Sequence, residues 1–383
     1  MQSSKPKLQT LESLRGIAAI LVVFLHSKFY SSNDINLLRI NGGIWVDFFF
    51  ILSGFVMGYA YFSKVSSHSI SFKKFITLRF GRLFPLNTFI LLLWVPYVVV
   101  KIYAYNHGYG HIDPIERHSP LQFLSNLFLV QSLNLHAQST WNGPAWSIST
   151  EFFTYIFYFF TVSVLYKIFP KIKMVYSMFI LLALSFLAYY LLLTFNDDKF
   201  FATYNYGILR CIGGFFLGLL MYQIYLLFEN KKSILKKTII FHCIEILLTL
   251  AIIFLLYNIR ESNLYIFTLI LIFALTILIL ALQSNGVMSK ILNHKLLRYL
   301  GKLSYSIYLC HALILVVASN FFQYILKVET AIDPVFNLKV LIVPYSFLLN
   351  IGFLLIVILF SHFTYKLIEE PFRNRFRTIA THY

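Results

Sequence analysis

The chain of 383 residues contains few charged side chains, and acidic ones are the scarcest. Lys, Arg, Asp and Glu together make up 12% of it, about half of their share in an average soluble domain. Hydrophobic residues make up 59% and aromatic residues 19%. A soluble core of this size could not bury so many apolar side chains, so the excess must face lipid. The composition therefore indicates an integral membrane protein.

Cysteine is also scarce. The three cysteines, Cys211, Cys243 and Cys310, all fall within apolar segments. Their spacing fits neither a disulfide framework nor a zinc site, and no metal is expected. The first apolar run contains Arg15 and is followed by no small-residue cleavage site, so a cleaved signal peptide is not expected either.

Ten apolar runs are long enough to cross about 30 Å of hydrocarbon as helices. They are predicted at residues 11–29, 44–62, 84–103, 148–166, 174–194, 204–228, 238–257, 264–283, 304–325 and 340–364. The longest connection, 104–147, contains LQFLSNLFLV, which predicts an interfacial or re-entrant helix. With no visible repeat or linker, residues 1–383 are predicted to form a single all-α domain, a polytopic bundle of about ten transmembrane helices.

The distribution of basic residues predicts the orientation of this bundle. There are 32 Lys and Arg against 15 Asp and Glu, a net charge of +17. In a soluble protein such an excess would suggest nucleic acid, but here the basic residues lie between apolar runs, so no nucleic-acid partner is expected. Both termini are therefore predicted to be cytoplasmic, because most basic residues then lie in inner loops, as the positive-inside rule requires. The predicted outer segments then contain Lys28, Arg39, Lys101, Arg117, Lys199, Arg260, Lys327 and Lys339.

The first apolar run, LESLRGIAAILVVFLHS, carries two ionisable side chains, which are costly in a membrane and often mark a site. Arg15 and His26 are eleven residues apart, which places them on one helix face and about 16 Å apart along the axis. Alone, Arg15 would be an inner anchor and His26 a packing histidine. As a pair they predict an anion site at the inner mouth and a titratable imidazole deep in the bilayer.

Two more motifs extend this predicted site, and each also has a plainer interpretation. Arg79 and Arg82, in RFGRLFP, share a helix face and could clamp phosphate, or belong to an ordinary basic loop ahead of a span that Pro85 opens. Asp47 could orient a histidine, and Glu151, in PAWSISTEFF, could bind a polar acceptor at the outer mouth. Either acid could instead be stabilised by a helix dipole.

The remaining ionisable side chains of the apolar runs receive no predicted function. Structural pairing is favoured for Arg210, His242, Glu245 and His362, while His311 and Glu369 are left without an assigned role.

Taken in order, LESLRGIAAILVVFLHS, FFFILSGF, RFGRLFP, PAWSISTEFF, LSYSIYLCH and EEPF resemble the acyltransferase-3 family of bacterial integral membrane O-acyltransferases. The resemblance covers almost the whole chain, and its most specific element is the spacing of Arg15 and His26. One departure is that SISTEFF lacks the second acid of the commoner SLSVEEQFF form, although Glu151 keeps the first. The chain resembles the standalone form of the family, without a C-terminal hydrolase-like domain.

The resemblance implies transfer of an acyl group, most often acetyl, from cytosolic acyl-CoA to a hydroxyl group outside the cytoplasm. The implied acceptor is a carbohydrate such as lipopolysaccharide O-antigen, an exopolysaccharide or a lipid-linked glycan. The implied location is the bacterial inner membrane. The three arginines would bind the phosphates of acetyl-CoA, and His26 would act as a general base oriented by Asp47 or Glu151. An acyl-histidine intermediate is an alternative.

A different class of protein fits the same composition. Ten spans with buried charges also describe a secondary transporter or flippase, although no pair of matching interrupted helices is visible in the two halves. A further alternative is an acyltransferase that acts on a small molecule or a lipid.

Overall fold

The computed structural model describes residues 8–30, 41–109, 113–196, 200–229, 238–259, 262–282, 286–332 and 339–383. Three of the basic residues that were assigned to outer segments, Arg39, Lys199 and Arg260, lie outside these ranges.

The described chain is helical almost throughout, which confirms the all-α prediction. The helices are α1 (Gln9–Leu25), α2 (Trp45–Ser66), α3 (Phe72–Asn106), α4 (Ile115–His118), α5 (Pro120–Leu127), α6 (Trp146–Ile168), α7 (Met174–Phe195), α8 (Gly207–Glu229), α9 (Thr238–Asn258), α10 (Asn263–Leu282), α11 (Val287–Leu292), α12 (Lys295–Asn320), α13 (Ser346–Thr364) and α14 (Glu370–Ile379). Short 3-10 or π turns precede or follow several of them.

Within the described ranges, nine helical stretches are long and apolar enough to cross a membrane, and they correspond to the last nine predicted spans. The first predicted span is α1, a helix of 17 residues, about 25 Å long. It ends at Leu25 rather than at residue 29, so that His26 follows the helix as its C-cap. The chain is thus a multi-pass membrane protein.

Helix α3 begins earlier than predicted. Pro85 was expected in the first turn of a span, but the helix starts at Phe72 and contains both Pro85 and Pro96. Membrane helices tolerate internal proline because neighbouring groups satisfy the freed carbonyls. As a result, Arg79 and Arg82 lie on the spanning helix itself and not in the loop before it.

Two features cover the side of the bundle where α1 ends. The helix predicted within LQFLSNLFLV is present as α5, and its start is fixed by a capping box of Ser119 and Gln122. A three-stranded sheet, which the sequence did not predict, consists of β1 (Phe29–Tyr30), β2 (Thr330–Ile332) and β3 (Lys339–Ile342). In it β3 pairs parallel with β1 and antiparallel with β2. The sheet ties the end of α1 to the chain before α13.

Glycines let two pairs of helices approach closely. On α2, Gly54 faces the backbone carbonyl of Phe215, and on α8, Gly218 faces that of Ile51. In the same way Gly16 of α1 lies against the backbone of Leu300 and Gly301, and Gly301 of α12 lies against the backbone of Glu12. Small residues at such crossings maximise packing where the hydrophobic effect cannot hold helices together.

We expect Gly54→Ala and Gly218→Ala each to destabilise the protein. The added Cβ would lie closer than 3.0 Å to the facing backbone, and overpacking of this kind costs about 1–3 kcal/mol. Gly352→Ala is the matched control, because a Cβ there meets nothing within 4 Å. Thermal unfolding of the three variants in one detergent measures the difference, and equal midpoints would show that the α2–α8 crossing is loosely packed.

Candidate active site

A pocket in the bundle brings together most of the predicted site. It lies between α1, α2, α3, α6 and α12, which contribute both charged and hydroxyl-bearing side chains. Its polar lining consists of Arg15, Ser53, Arg79, Arg82, Ser147, Glu151, Tyr155, Ser304, Tyr305 and Tyr308. The three arginines, predicted from two separate motifs, therefore face one space, which we call the arginine pocket.

Two of these arginines are held in place by neighbours. Arg79 donates from Nη2 to the hydroxyl of Tyr61 at 2.8 Å, and its guanidinium carbon lies 4.9 Å from the centre of that ring. Arg82 forms an ion pair with the buried Glu369, with 3.6 Å between Nη1 and Oε1. Each guanidinium has five N–H donors, so both keep donors for a ligand.

Arg15 differs from the other two arginines of the pocket. It forms no hydrogen bond or ion pair with any residue that the structure describes, although Glu151 and Glu369 are near enough to interact with it electrostatically. A cation in an apolar bundle is costly unless it is paired. The pocket therefore contains a guanidinium whose N–H donors are not taken up by any described residue and could bind an anion.

Glu151 lies in this same pocket, whereas the sequence placed it at a separate outer mouth. The 3-10 turn before α6 packs into the bundle, where Asn142 donates from Nδ2 to the carbonyl of Leu309 at 3.1 Å. The helix start is thereby buried, and Glu151, which is half-buried, lines the pocket. Its carboxylate accepts hydrogen bonds from Ser53, at 2.6 Å, and from Tyr155.

The EEPF motif accounts for the position of Arg82. Glu369 is buried and accepts a hydrogen bond from Ser306 at 2.8 Å. Arg373 approaches the same carboxylate at 3.8 Å. The sequence left Glu369 without a role, and the structure shows that it joins the chain after α13 to both α3 and α12.

His26 does not line the arginine pocket and instead pairs with a second histidine. Its Nδ1 lies 2.9 Å from the carbonyl oxygen of Val22 and 3.3 Å from Nε2 of His311. A carbonyl oxygen can only accept, so Nδ1 of His26 carries the hydrogen and Nε2 carries the lone pair. Among the described residues, that Nε2 has no hydrogen-bond partner.

His311 is fully buried on α12, and its own Nδ1 faces the carbonyl of Ile307 at 3.2 Å. Three residues earlier on α12, Tyr308 lines the arginine pocket, about 4.5 Å away along the helix axis. The rings of Tyr308 and His311 are 5.9 Å apart between centres. The histidine pair thus adjoins the pocket. In the sequence, the signal for this arrangement was the motif LSYSIYLCH, in which His311 follows Tyr308 by three residues. The partner of His311, His26, lies 285 residues away, so the pairing itself could not be predicted.

No carboxylate of a described residue is hydrogen bonded to His26, so the structure gives no support to the prediction that Asp47 or Glu151 orients it. The ring is held by a backbone carbonyl and by His311. Asp47 was one candidate, but it is 0% exposed and its two oxygens accept from Arg210 at 2.9 Å and 2.5 Å. Arg210 also donates to the carbonyls of Ala202 and Gly43. The contacts of Asp47 are therefore structural ones, since a buried cation of α8 needs a fixed anion.

Two of the pairings favoured for other buried charges are seen. Glu245 accepts from the Ser289 hydroxyl at 2.7 Å, and His362 is hydrogen bonded to Tyr299. His242 is different, because its buried Nε2 has no hydrogen-bond partner among the described residues.

The family model of the acyltransferase domain matches residues 8–367. The chain therefore belongs to the acyltransferase-3 family, whose members are membrane O-acyltransferases. This membership favours the enzyme over the transporter.

Two relatives are similar over part of their lengths. A Rhizobium radiobacter protein described as protein 2 in picA locus is 34% identical over 98 residues, which cover 26% of this chain and 49% of the relative. An uncharacterized protein of Haemophilus influenzae is 28% identical over 151 residues, 37% of this chain and 60% of the relative. The chain thus spans about half to three fifths of these curated relatives. No solved structure matches it.

We expect Asp47→Ala to unfold or strongly destabilise the protein. Removing one partner of a buried ion pair leaves the other charge uncompensated, which costs about 3–5 kcal/mol. Replacing both partners, as in Asp47→Leu with Arg210→Met, should restore part of that loss. Thermal unfolding of the single and double variants measures the coupling. A stable but inactive Asp47→Ala protein would instead support the catalytic role that the sequence suggested.

Proposed function

We propose that the protein transfers an acyl group, most often acetyl, from cytosolic acyl-CoA to a hydroxyl of an extracytoplasmic carbohydrate, in the bacterial inner membrane. The observation that carries the proposal is the position of His26. Its Nε2, to which no described residue is hydrogen bonded, lies at the end of α1, next to a pocket that holds Arg15, an arginine with no ion-pair partner in the described ranges. The resemblance to surface-glycan O-acyltransferases suggests O-antigen, exopolysaccharide or a lipid-linked glycan as the acceptor.

The donor side of the proposal rests on charge. Coenzyme A carries several phosphates, and planar guanidinium groups bind phosphate well. Arg15 would meet the donor as an unpaired cation, while Arg79 and Arg82 are already oriented by Tyr61 and Glu369. Glu151 keeps carboxylate lone pairs that Ser53 and Tyr155 leave free, but it lines the donor pocket and not the side from which the acceptor would reach His26.

The proposed chemistry is a single acyl transfer with His26 as general base. The hydroxyl oxygen of the acceptor attacks the thioester carbonyl carbon while its proton passes to Nε2 of His26. The carbon–sulfur bond then breaks, and the imidazolium returns the proton to the departing thiolate. The products are the acyl ester and free CoA thiol. During the step, the charged imidazolium keeps its Nδ1–H bonded to the Val22 carbonyl, which is stronger than the same bond in the neutral ring.

We expect His26→Ala to abolish acylation of the surface carbohydrate without loss of protein. General-base catalysis contributes about 10²–10⁴-fold to the rate. Mass spectrometry of surface polysaccharide from cells that express wild type, His26→Ala or an empty vector measures the acyl mass directly. His382→Ala, at an exposed histidine, is the matched control and should behave as wild type. Full acylation by a normally expressed His26→Ala protein would overturn the proposal.

We expect Arg15→Gln to weaken the use of acyl-CoA more than the chemistry itself. Loss of a charge-assisted hydrogen bond costs about 1.5–3 kcal/mol, which corresponds to an increase of about 10- to 150-fold in KM for the donor. The measurement is the rate of CoA thiol release against acetyl-CoA concentration with reconstituted protein. Arg375→Gln removes an exposed arginine of α14 and serves as the control. An unchanged KM would remove Arg15 from the donor site.

A further inference from the structure

A second, larger pocket opens at the end of the bundle where α1 finishes. It lies between the chain after α1, the last turns of α3 and α12, the α4 region and strands β2 and β3. The amino-terminal end of α1 is at the opposite side of the bundle. In the orientation that the positive-inside rule predicts, this second pocket therefore faces outward.

The lining of the outward pocket is basic. It includes Lys28, Lys101, Arg117 and Lys339, and no Asp or Glu among the described residues that line it. None of these four cations forms an ion pair with a residue that the structure describes. Burial, together with the positive charge of Lys101, lowers the pKa of Lys28. Lys28 and Lys101 are thus close enough to repel one another, an arrangement that a bound anion would relieve.

The same pocket contains aromatic side chains that are not lipid anchors. Trp94 and Trp141 line it and are only 4% and 8% exposed, whereas tryptophans of an interfacial belt face lipid and headgroups. Trp141 is fixed by a hydrogen bond from Nε1 to the Ser119 carbonyl at 3.2 Å. Tyr97 is fixed by Asn320, whose Nδ2 donates to its hydroxyl at 3.0 Å. Rigid aromatic rings with a polar edge suit a ring-shaped, partly polar ligand.

The outward pocket reaches the histidine pair from the side opposite to the arginine pocket. Lys28 lies two residues after His26. On α12, Val316 lines the outward pocket and lies five residues after His311, about 7.5 Å along the helix axis. A ligand in this pocket would therefore approach His26 from outside.

We propose that the outward pocket binds the acceptor, and that this acceptor is acidic, a glycan unit that carries a carboxylate or a phosphate. The inference rests on the proposed function, because only a transferase needs an acceptor beside His26. Unpaired lysines and an arginine provide the anion recognition, and the buried aromatic rings provide a surface for the sugar. A neutral glycan would leave the four cations without partners.

The test is binding of defined saccharides to the full-length protein in nanodiscs, followed by tryptophan fluorescence, since Trp94 and Trp141 line the pocket. One pair of probes is a glucuronic-acid tetrasaccharide and its neutral methyl ester, and the other is glucose 1-phosphate and glucose. We expect the acidic member of at least one pair to bind about tenfold or more tightly than its neutral partner. The pair that shows the preference identifies carboxylate or phosphate as the anion.

The variants are Lys28→Gln and Lys101→Gln, which should remove the preference for the acidic probe. The matched control is Lys327→Asn on the same face, because Lys327 does not line the pocket and asparagine tolerates its φ of 53°. Equal binding of acidic and neutral probes by wild type would overturn the proposal, even if a variant failed to fold. The proposal would also be overturned if the Lys28→Gln and Lys101→Gln proteins both fold and keep the same preference for the acidic probe.

The readout separates this inference from the proposed function. Acidic binding that depends on Lys28 and Lys101, in a protein that never releases CoA thiol from acetyl-CoA, would sustain the anion site and reject the acyl-CoA reaction. CoA release that depends on His26, together with no preference for acidic probes, would sustain the reaction and reject the acidic acceptor.

Discussion

The structure depends on how charge is buried in an apolar bundle, and the ion pair of Asp47 and Arg210 is its central case. Neither side chain is more than 2% exposed, and removing either partner would leave an isolated ion where water cannot reach it. The pair fastens α2 to α8 at the level where Arg210 also binds the carbonyls of Ala202 and Gly43. Because α2 carries Ser53 and Met57 into the arginine pocket, the geometry of that pocket depends on this contact.

The remaining charges divide according to whether the chain itself satisfies them. Glu369 satisfies Arg82, and the start of α11 satisfies Glu245, so both acids hold helices together. Arg15 and the cations of the outward pocket have no such partner among the described residues. An unpaired ion inside a membrane bundle is expensive, and under the proposed function ligands would complete Arg15 and the half-buried Lys28 and Lys101, whereas Arg117 and Lys339 are exposed.

Hydropathy and the positions of Lys and Arg were enough to predict the spans and the fold class, because both depend on local composition. Pairing was not predictable. An acid near the start of a helix looks the same whether a dipole or a distant arginine stabilises it, and Arg210 lies 163 residues from Asp47. For the same reason the sequence could single out His26 but not its neighbour His311. The path of α3 through Pro85 and the small outer sheet likewise depend on tertiary contacts that no local pattern records.

The end of α1 places His26 between the two pockets. The helix ends at Leu25 and the chain turns into β1, while the Val22 carbonyl accepts from both the backbone N–H of His26, at 3.4 Å, and its ring Nδ1–H, at 2.9 Å. The imidazole is then fixed between an inner and an outer pocket, both lined by cations that no described residue pairs: Arg15 in the inner one and several lysines and an arginine in the outer one. Under the proposed function, only the acyl group has to pass this point. Neither the nucleotide of the donor nor the sugar of the acceptor would need to cross the bilayer, so the enzyme would require no transport cycle and no large opening of the bundle.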